Sequence, residues 1–296
     1  MKNILIIGAN GFTGRRILND LSVNPIYHVT GCSLRDDICP GKDYRFVRTD
    51  IRDENEVRKL FKECRPDIVI NTSALSVPDY CETHHAEAEA TNVTAVETIA
   101  HVCEQYGSRF ILLSTDFVFD GKSTRLYMEE DEAIPVNYYG VTKLKAEKII
   151  ASICSNYAIV RVVVVYGKAL PGQHGNILQL VANRLRNGET IRVVSDQWRT
   201  PTFVGDISVG VEKLMFHTAN GIYHICGSEC LTIAEIAYRV ADFLKLDRSL
   251  IEPVTTEEMK ETTPRPRFSG LSIEKAKAEI GYTPRTLEEG MEASLF

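Results

Sequence analysis

The chain has 296 residues, a net charge of −6 at pH 7 and a hydrophobic fraction of 44%. This composition suits one large or two moderate globular domains whose core needs neither disulfides nor metals. The sequence has no basic run, which argues against nucleic acid as a partner, and no apolar run approaches the ~18 residues of a membrane span. It opens on a structural strand rather than a signal peptide, and its eight cysteines are scattered. We therefore expect a cytoplasmic protein that binds neither nucleic acid nor membrane.

The first half alternates short apolar runs with helical patterns. Apolar runs predict strands over 3–7, 28–32, 45–47, 67–71, 109–113 and 159–165, and apolar residues at helical spacing predict helices over 54–63 and 86–106. Gly107 is placed to end the second helix. Strands that alternate with helices indicate a parallel sheet covered on both faces.

After Gly167 the pattern changes. A loop over 168–175 and a polar loop ending at Gly205 are expected, with further elements at 177–186, 191–194, 206–217, 222–226 and 232–244. Thr232 and Glu235 have capping-box spacing, and Ser272 is placed to cap a last helix that ends at Ile280.

The predicted fold class is α/β, with a Rossmann-type doubly wound parallel sheet and a smaller C-terminal α/β lobe. The dinucleotide-binding domain is expected over 1–167, rejoined by about 204–226. The remaining segments, 168–203 and 227–296, are expected to form the substrate-binding lobe.

A glycine turn follows the first predicted strand directly. Gly8, Gly11 and Gly14 recur at three-residue spacing, and a helical pattern begins after them. Glycines let phosphate oxygens approach the backbone, and a helix N-terminus offers free N–H groups and a partial positive charge. Asn10 stands where the G-x-G-x-x-G fingerprint has its central glycine. A tight turn with no ligand is the alternative, but the position after a strand favours a nucleotide site.

Two residues further along suit acid–base chemistry. Tyr139 and Lys143 are four residues apart in a segment with helical character, so they share a helix face. A phenol of pKa ~10 is a poor catalyst near neutrality, and a nearby ammonium favours the phenolate. The hydroxyl of Thr115 can bond the same reacting oxygen. A solvated helix face remains the alternative for the pair alone.

Taken together, these motifs resemble the extended short-chain dehydrogenase/reductase family. The resemblance rests on the glycine turn, Asn-Thr-Ser-Ala over 71–74, Ser-Thr-Asp over 114–116, Tyr139-x-x-x-Lys143 and Val-Tyr-Gly over 165–167. The sequence is similar in particular to the dTDP-4-dehydrorhamnose reductase branch at Ser-Thr-Asp-Phe-Val-Phe-Asp-Gly over 114–121, Asp196-Gln197, Pro201-Thr202, Arg265-Pro266, Ser269 and Leu271.

The resemblance implies an NAD(P)-dependent oxidoreductase that reduces a nucleotide-linked 4-keto-6-deoxy sugar, as in dTDP-rhamnose biosynthesis. It implies that Tyr139 is the general acid toward the C4 carbonyl, and that Lys143 holds the nicotinamide ribose and lowers the pKa of Tyr139. Thr115 takes the place of the catalytic hydroxyl, with Ser114 as its structural neighbour.

The resemblance also implies the binding residues. The implied cofactor residues are Gly8, Gly11, Phe12 and Gly14 at the pyrophosphate, Asp50 and Ile51 at the adenine, Ala74 in the cleft, and Tyr139 and Lys143. The implied sugar-nucleotide residues are Asp79, Asn176, Gln197, Trp198, Arg199 and Arg265. An ordinary packing role for Trp198 and an exposed surface role for the two arginines are the alternatives.

The end of the second predicted strand bears on the choice of cofactor. NAD binders usually place an acid about 20 residues past the glycines. This chain has Ser33 and Arg35 there, which suit a 2′-phosphate. Asp36 and Asp37 follow and could weaken that preference. We expect NADP(H), with NAD(H) as the alternative.

Some features separate the chain from the common form of that branch. Arg15 stands where some of these reductases carry an acidic metal ligand, so no metal site is expected, and His174 and the pair His84 and His85 are interpreted as non-ligands. Arg161 in an apolar strand must be paired if it is buried.

Two other function classes stay open. One is a nucleotide-sugar epimerase or dehydratase that retains its cofactor. The other is a non-catalytic NAD(P)-binding regulatory subunit, similar in part to the β subunit of methionine adenosyltransferase. The sequence leaves the sugar, the nucleotide and association as a homodimer undecided.

Overall fold

The computed structural model describes residues 1–40, 43–173 and 175–294. Its strands are β1 (Lys2–Ile7), β2 (Tyr27–Ser33), β3 (Arg45–Arg48), β4 (Ile68–Asn71), β5 (Arg109–Thr115), β6 (Tyr157–Val162), β7 (Val165–Tyr166), β8 (Ile191–Val194), β9 (Trp198–Arg199), β10 (Thr202–Phe203), β11 (Gly221–His224), β12 (Leu231–Thr232) and β13 (Ile251–Val254). Its α-helices are α1 (Phe12–Ser22), α2 (Glu54–Cys64), α3 (Pro78–Thr83), α4 (His85–Glu89), α5 (Ala95–Tyr106), α6 (Tyr138–Ile153), α7 (Ile177–Arg186), α8 (Val204–Phe216), α9 (Ile233–Leu244), α10 (Thr256–Met259), α11 (Glu274–Ile280) and α12 (Leu287–Ser294).

Seven parallel strands form the central sheet, in the order β11-β6-β5-β4-β1-β2-β3. Strands β2 and β3 extend from β1 in one direction, and β4, β5 and β6 extend from it in the other. The sheet order therefore reverses between β1 and β4, as in doubly wound folds. The predicted fold class is confirmed.

Alternate strand residues face two separate apolar layers. In β1, Ile4 and Ile6 join one core cluster, whereas Leu5 and Ile7 join another. Helices α1 and α8 cover the first layer, and α2, α5 and α6 cover the second. A third cluster packs α7, α9 and α12 together. Strand β11 lies in the central sheet, while the boundary at residue 167 stays a prediction.

The predicted strand over 159–165 is wrong at its end. The chain leaves the central sheet after Val162, and Val164 has a φ of 36°. Strand β7 then pairs with β10 in a separate two-stranded sheet. A positive φ is strained for a β-branched residue. An apolar run could not reveal this turn, because valine ordinarily favours strand.

Local helix signals fare better. Gly107 ends α5 with a φ of 66°, and the capping box of Thr232 and Glu235 precedes α9, both as predicted. The helix predicted over 86–106 is present but interrupted, because a π-helical turn, Ala90–Thr94, separates α4 from α5. Such turns are frequently found at functional sites.

Two later segments differ from their predictions. The expected polar loop before Gly205 contains β9 and β10, and α8 begins at Val204. Ser272 does not cap α11: the N-cap is Ile273, and the Ser272 hydroxyl only accepts a 3.4 Å hydrogen bond from the N–H of Glu274. Helix α11 is also not the last, because α12 follows it.

Candidate active site

A cavity of about 790 Å³ lies at the carboxyl edge of the central sheet. Its walls include the turn after β1, the segments after β4 and β5, and the first turns of α6. Ligands of doubly wound sheets bind beyond the carboxyl ends of the strands, where the strand order reverses. Since the order reverses between β1 and β4, we assign this cavity as the candidate active site.

The glycine turn packs against the end of β4. Gly8 has a φ of 83°, and a Cβ there would lie 2.8 Å from the backbone nitrogen of Ser73. A Cβ on Gly14 would overlap the carbonyl oxygen of Gly8 and lie 2.5 Å from Oγ1 of Thr72. Gly11 is the N-cap of α1, and no described side chain caps this helix. The first turn of α1 therefore lines the cavity with its amide groups available to an anion.

The loop after β7 closes over this turn. Nε2 of Gln173 donates to the carbonyl oxygens of Asn10 at 3.0 Å and Gly11 at 3.2 Å. Asn176 caps α7, and its Nδ2 donates to the carbonyl oxygen of Gly167 at 2.8 Å. Sequence analysis predicted a loop here but not its contact with the glycine turn. His174 lies outside the described residues.

Tyr139 and Lys143 lie one turn apart on α6, the first half-buried and the second buried. Nζ of Lys143 donates to the carbonyl oxygen of Leu113 at 2.7 Å. Burial lowers the pKa of Lys143 to about 8. The ammonium is therefore held at the end of β5 and loses its proton more readily than an exposed lysine does.

The phenol of Tyr139 behaves differently from the expectation. Burial raises its pKa, the Asp116 carboxylate raises it further, and the Thr115 hydroxyl opposes both effects. Lys143 is not among the groups that shift this pKa in the protein alone, so the expectation that Lys143 lowers it stays a prediction. The ammonium is instead bound to the Leu113 carbonyl, while the phenol is desolvated beside a negative charge. A phenol that keeps its proton suits a proton donor.

Asp116 is a site residue to which sequence analysis gave no role. Its carboxylate is buried, accepts a hydrogen bond from Thr115 at 3.1 Å and another from Ser269, and lies 3.7 Å from Nε of Arg199. Ser269 and Arg199, which are distant in the chain, therefore hold the carboxylate to which the Thr115 hydroxyl donates. The same hydroxyl is hydrogen-bonded to Tyr139. The Ser-Thr-Asp motif placed Asp116 at a strand end, but the sequence showed nothing of its partners.

Asn92 braces the same region from the π-helical turn. Its Oδ1 accepts from the N–H of Leu75 at 2.8 Å, and its Nδ2 donates to the Leu75 carbonyl oxygen and the Thr142 hydroxyl, each at 3.0 Å. It thereby joins the segment after β4 to the helix of Tyr139. Sequence analysis did not assign it, because an asparagine within a helical pattern gives no signal of its contacts.

A buried cluster of polar side chains lies beside β5. The Ser114 hydroxyl donates to Glu147 at 2.5 Å, and Glu147 pairs with Arg161 at 2.6 Å. Arg161 is therefore paired, as predicted, and Ser114 points to a structural partner. Loss of either Glu147 or Arg161 would leave the other as an uncompensated buried charge, so both are needed for stability.

The predicted site residues fall into two sets. Those that line the cavity are Gly8, Gly11, Phe12, Gly14, Ser33, Ala74, Thr115, Tyr139, Lys143, Asn176 and Arg265. Those that lie outside its lining are Arg35, Asp50, Ile51, Asp79, Gln197, Trp198 and Arg199. Asp50 is paired with Arg52 at 2.6 Å, and Ile51 is buried in a core cluster.

The expected sugar-nucleotide residues are divided in the same way. Gln197 and Arg199 are buried; Nη2 of Arg199 donates to the carbonyl oxygen of Pro266 at 2.8 Å, and Nε2 of Gln197 donates to Glu261 at 2.8 Å. These contacts hold the segment after α10 against β9. Trp198 is exposed, with a 39% accessible side chain, in a two-residue strand.

Arg265 is the charged residue of that segment on the cavity wall. Its Nε lies 3.2 Å from Oε1 of Glu261, and its Nη2 lies 3.6 Å from Oδ2 of Asp79. The Thr263 and Thr262 hydroxyls and the Arg265 charge hold the pKa of Asp79 below its ordinary value. Asp79 is thus a partner of Arg265 at the cavity rim.

Two findings on metal and membrane binding concern the described residues, 1–40, 43–173 and 175–294. No group of three or more metal-ligating side chains that could hold an ion is found among them. None of the helices in that part of the chain combines the length and apolarity needed to cross a bilayer.

The chain matches a family model described as the RmlD substrate binding domain over residues 1–295. It is 30% identical to a probable low-salt glycan biosynthesis reductase, Agl14, of Haloferax volcanii, covering 97% of this chain and 95% of that protein. It is also 31% identical to methionine adenosyltransferase 2 subunit beta of Xenopus laevis, covering 96% of this chain and 84% of that protein. A crystal structure of dTDP-4-dehydrorhamnose reductase from Bacillus anthracis in complex with NADP matches with a TM-score of 0.86, 26% identity and 99% coverage of both chains.

Proposed function

This chain belongs to the RmlD substrate binding domain family, and from that premise we propose that it is an NADPH-dependent reductase of a nucleotide-linked 4-keto-6-deoxy sugar. The observation that carries the proposal is that Thr115, Tyr139 and Lys143 line the same cavity as the glycine turn. The Agl14 likeness supports a reductase, and the Bacillus anthracis likeness supports the class of substrate and cofactor.

The residues that line the cavity offer groups that suit a dinucleotide. An uncapped first turn of α1 lies at a wall built from glycine backbone, which suits a pyrophosphate. Gly8, Gly11, Phe12 and Gly14 would hold that group, Ser33 would lie toward the ribose 2′-position, and Ala74 would line the cleft. A bound reduced nicotinamide would supply the hydride.

Tyr139 is assigned the proton transfer. Because burial and the Asp116 carboxylate raise the pKa of its phenol, Tyr139 keeps its proton at neutral pH. It gives that proton to the carbonyl oxygen, which gains negative charge as C4 is reduced. Thr115 holds the same oxygen by a hydrogen bond once its hydroxyl turns from Asp116. A C4 hydroxyl is the product.

Lys143 is assigned a positioning role beside the reaction. Its buried ammonium lies at the end of β5 and would bond the nicotinamide ribose. A positive charge there also favours the phenolate that remains after Tyr139 gives up its proton. Since burial lowers the pKa of Lys143 to about 8, this support is lost as the pH rises through that value.

The residues proposed to bind the substrate lie in or near the wall of the cavity. Asn176 and Arg265 are proposed to contact the sugar nucleotide, with Arg265 leaving Asp79 and Glu261 for the diphosphate. Trp198 is proposed as a stacking surface at the rim, whereas Gln197 and Arg199 support the loop from inside. Arg35, Asp50 and Ile51 stay predictions for the adenosine end, as do a homodimer and a cytoplasmic location.

The direct test incubates the purified protein with NADPH and a nucleotide-linked 4-keto-6-deoxy sugar and follows the loss of reduced-cofactor absorbance. Tyr139→Phe should lower kcat by about 10²–10⁴-fold while leaving NADPH binding in place. The matched control is Tyr138→Phe, since the Tyr138 hydroxyl bonds Glu89 at 2.8 Å outside the cavity lining. NADPH binding without turnover of any such keto sugar would overturn the proposal.

A second candidate is a non-catalytic regulatory subunit, because relatives named methionine adenosyltransferase 2 subunit beta match almost the whole chain. A regulatory role predicts that the protein forms a complex with a methionine adenosyltransferase catalytic subunit in size-exclusion chromatography. It also predicts that Tyr139→Phe leaves that complex and its activity unchanged. A retained-cofactor epimerase or dehydratase would instead copurify with nicotinamide and consume none during turnover.

A further inference from the structure

The loop after β2 is joined to the glycine turn by one asparagine. Nδ2 of Asn10 donates to the carbonyl oxygens of Arg35 at 3.3 Å and Asp36 at 2.9 Å. Its Oδ1 accepts from the N–H of Ile38 at 3.3 Å and from Nη2 of Arg15 at 2.8 Å. The residue that replaces the central glycine of the fingerprint therefore fixes the loop after β2, where the adenosine ribose of a dinucleotide is expected.

Arg15 enters the same loop from α1. It is buried, and its Nη2 lies 2.6 Å from Oδ1 of Asp37. Its Nη1 donates to the Tyr44 hydroxyl at 2.7 Å, and that hydroxyl lies 2.8 Å from Oδ2 of Asp37. The N–H of Cys39 also donates to Asp37 at 3.0 Å. The carboxylate is thus enclosed by donors, one of them a full positive charge.

This pairing matters for which dinucleotide fits. Acidic groups at the end of the second strand favour an unmodified ribose and repel a 2′-phosphate. Asp37 is placed where it could do so, two residues beyond Arg35. Paired with Arg15 it presents little net charge, and the exposed Arg35 then sets the local potential together with Asp36.

We propose that Arg15 is a specificity-determining residue, which cancels the charge of Asp37 and so lets the loop after β2 accept a 2′-phosphorylated dinucleotide. The inference rests on the proposed use of NADPH and deepens it. Arg15 acts through Asp37 and is not assigned a contact with the phosphate. The arrangement also explains how Asp37, one of the two acids that follow Arg35, need not oppose that choice of cofactor.

The test measures binding rather than turnover. The probes are 2′,5′-ADP and 5′-AMP, which differ in the 2′-phosphate, and the measured quantity is the ratio of their dissociation constants by calorimetry. Three forms carry the argument: wild type, Asp37→Asn, and the double variant Arg15→Gln/Asp37→Asn. The double variant leaves no buried unpaired carboxylate, so it avoids the main cause of misfolding.

The inference predicts that wild type and the double variant share the same preference for 2′,5′-ADP within about twofold, because the pair is neutral in both. Asp37→Asn, which leaves the Arg15 charge uncancelled, should strengthen that preference by roughly tenfold. Asp20→Asn is the matched control: it removes an Asp partner of arginine from the same helix, since Asp20 pairs with Arg16 at 2.7 Å. Its ratio should equal that of wild type.

Three equal ratios would overturn the inference, since a pair that only stabilises the fold does not affect ligand preference. A double variant that loses the preference would also overturn it, because Arg15 would then contact the phosphate itself. A wild-type protein that binds neither NADPH nor either probe would instead contradict the proposed function. The two failures are therefore distinguishable.

Discussion

The parts of the candidate active site that we propose for the cofactor and for the substrate, called the cofactor end and the substrate end, are built in different ways. At the cofactor end, Gly8 and Gly14 are close-packed against Thr72 and Ser73, so backbone meets backbone with no room for a side chain. At the substrate end, Asp116 is held by Arg199 and by Ser269, which is 153 residues away in sequence. Close backbone packing therefore restricts which substitutions the cofactor end tolerates, and the pairing of a buried charge restricts which ones the substrate end tolerates. Added side-chain volume should therefore be most damaging at the cofactor end, and removal of a charge at the substrate end.

The largest expected effect is at the substrate end. Arg199→Met keeps the volume but leaves the buried Asp116 without its cation, so we expect a loss of about 3–5 kcal/mol in the free energy of unfolding. Chemical denaturation measures it. The control is Arg184→Met, whose exposed pair with Glu189 should contribute at most ~1 kcal/mol. Equal losses in the two variants would show that charge does not limit this end.

At the cofactor end a single methyl group should suffice. Gly14→Ala places a Cβ against the Gly8 carbonyl and Thr72, so we expect NADPH binding to weaken by about 1–3 kcal/mol, roughly fivefold to 150-fold. Gly175→Ala is the control on the same cavity wall, because its Cβ would meet its nearest atom at 3.6 Å. Calorimetry decides between them. Unchanged affinity in Gly14→Ala would mean that the turn can shift, and that space is not limiting.

The Asp116 carboxylate links the two ends, and its removal should appear in the pH profile. Asp116→Asn removes a negative charge that raises the pKa of Tyr139, so that pKa falls and the phenol loses its proton at lower pH. The alkaline limb of kcat should move to lower pH, with kcat about tenfold reduced and KM little changed. Asp120→Asn is the control, since Asp120 bonds Tyr127 at 2.8 Å instead. An unchanged alkaline limb in Asp116→Asn would contradict the role of the Asp116 charge in raising the pKa of Tyr139.

The smallest effect belongs to a feature outside the cavity. Thr232→Ala removes the capping box of α9, and we expect a loss of about 1 kcal/mol in the free energy of unfolding with unchanged NADPH affinity. Thermal denaturation and calorimetry measure the two quantities. A loss of cofactor affinity would contradict this expectation, since it would show that α9 affects the cofactor end.

Much of the cofactor end could be predicted from the sequence because its determinants are local. The strand, the glycine turn and α1 follow one another within the first 22 residues, and each is indicated by residues a few positions apart. Tyr139 and Lys143 share a helix face for the same reason. The parallel sheet followed from the alternation of apolar runs and helical patterns. Gly107 and the capping box before α9 ended and began helices where expected.

The substrate end could not be predicted in this way. Gln197 and Arg199 look like ligand-binding side chains in the sequence, but both are buried among residues around 256–267. The turn at Val164 and the contacts of Asn92 also depend on elements that are distant in the chain. Residue type and spacing are all that a sequence pattern contains. Neither shows which polar side chains become buried by distant parts of the chain.

By itself, then, the sequence determined the elements, the order of the motifs and the residues of the acid–base pair, since these depend on periodicity and on neighbours within a few positions. The pKa values and charge pairing of the site residues depended on the tertiary structure. The pKa of Tyr139 rises because folding desolvates it beside Asp116, and Asp37 is neutralised because folding brings Arg15 to it from α1. Desolvation and charge pairing act through space, so they appear only when the distant parts of the chain are packed together.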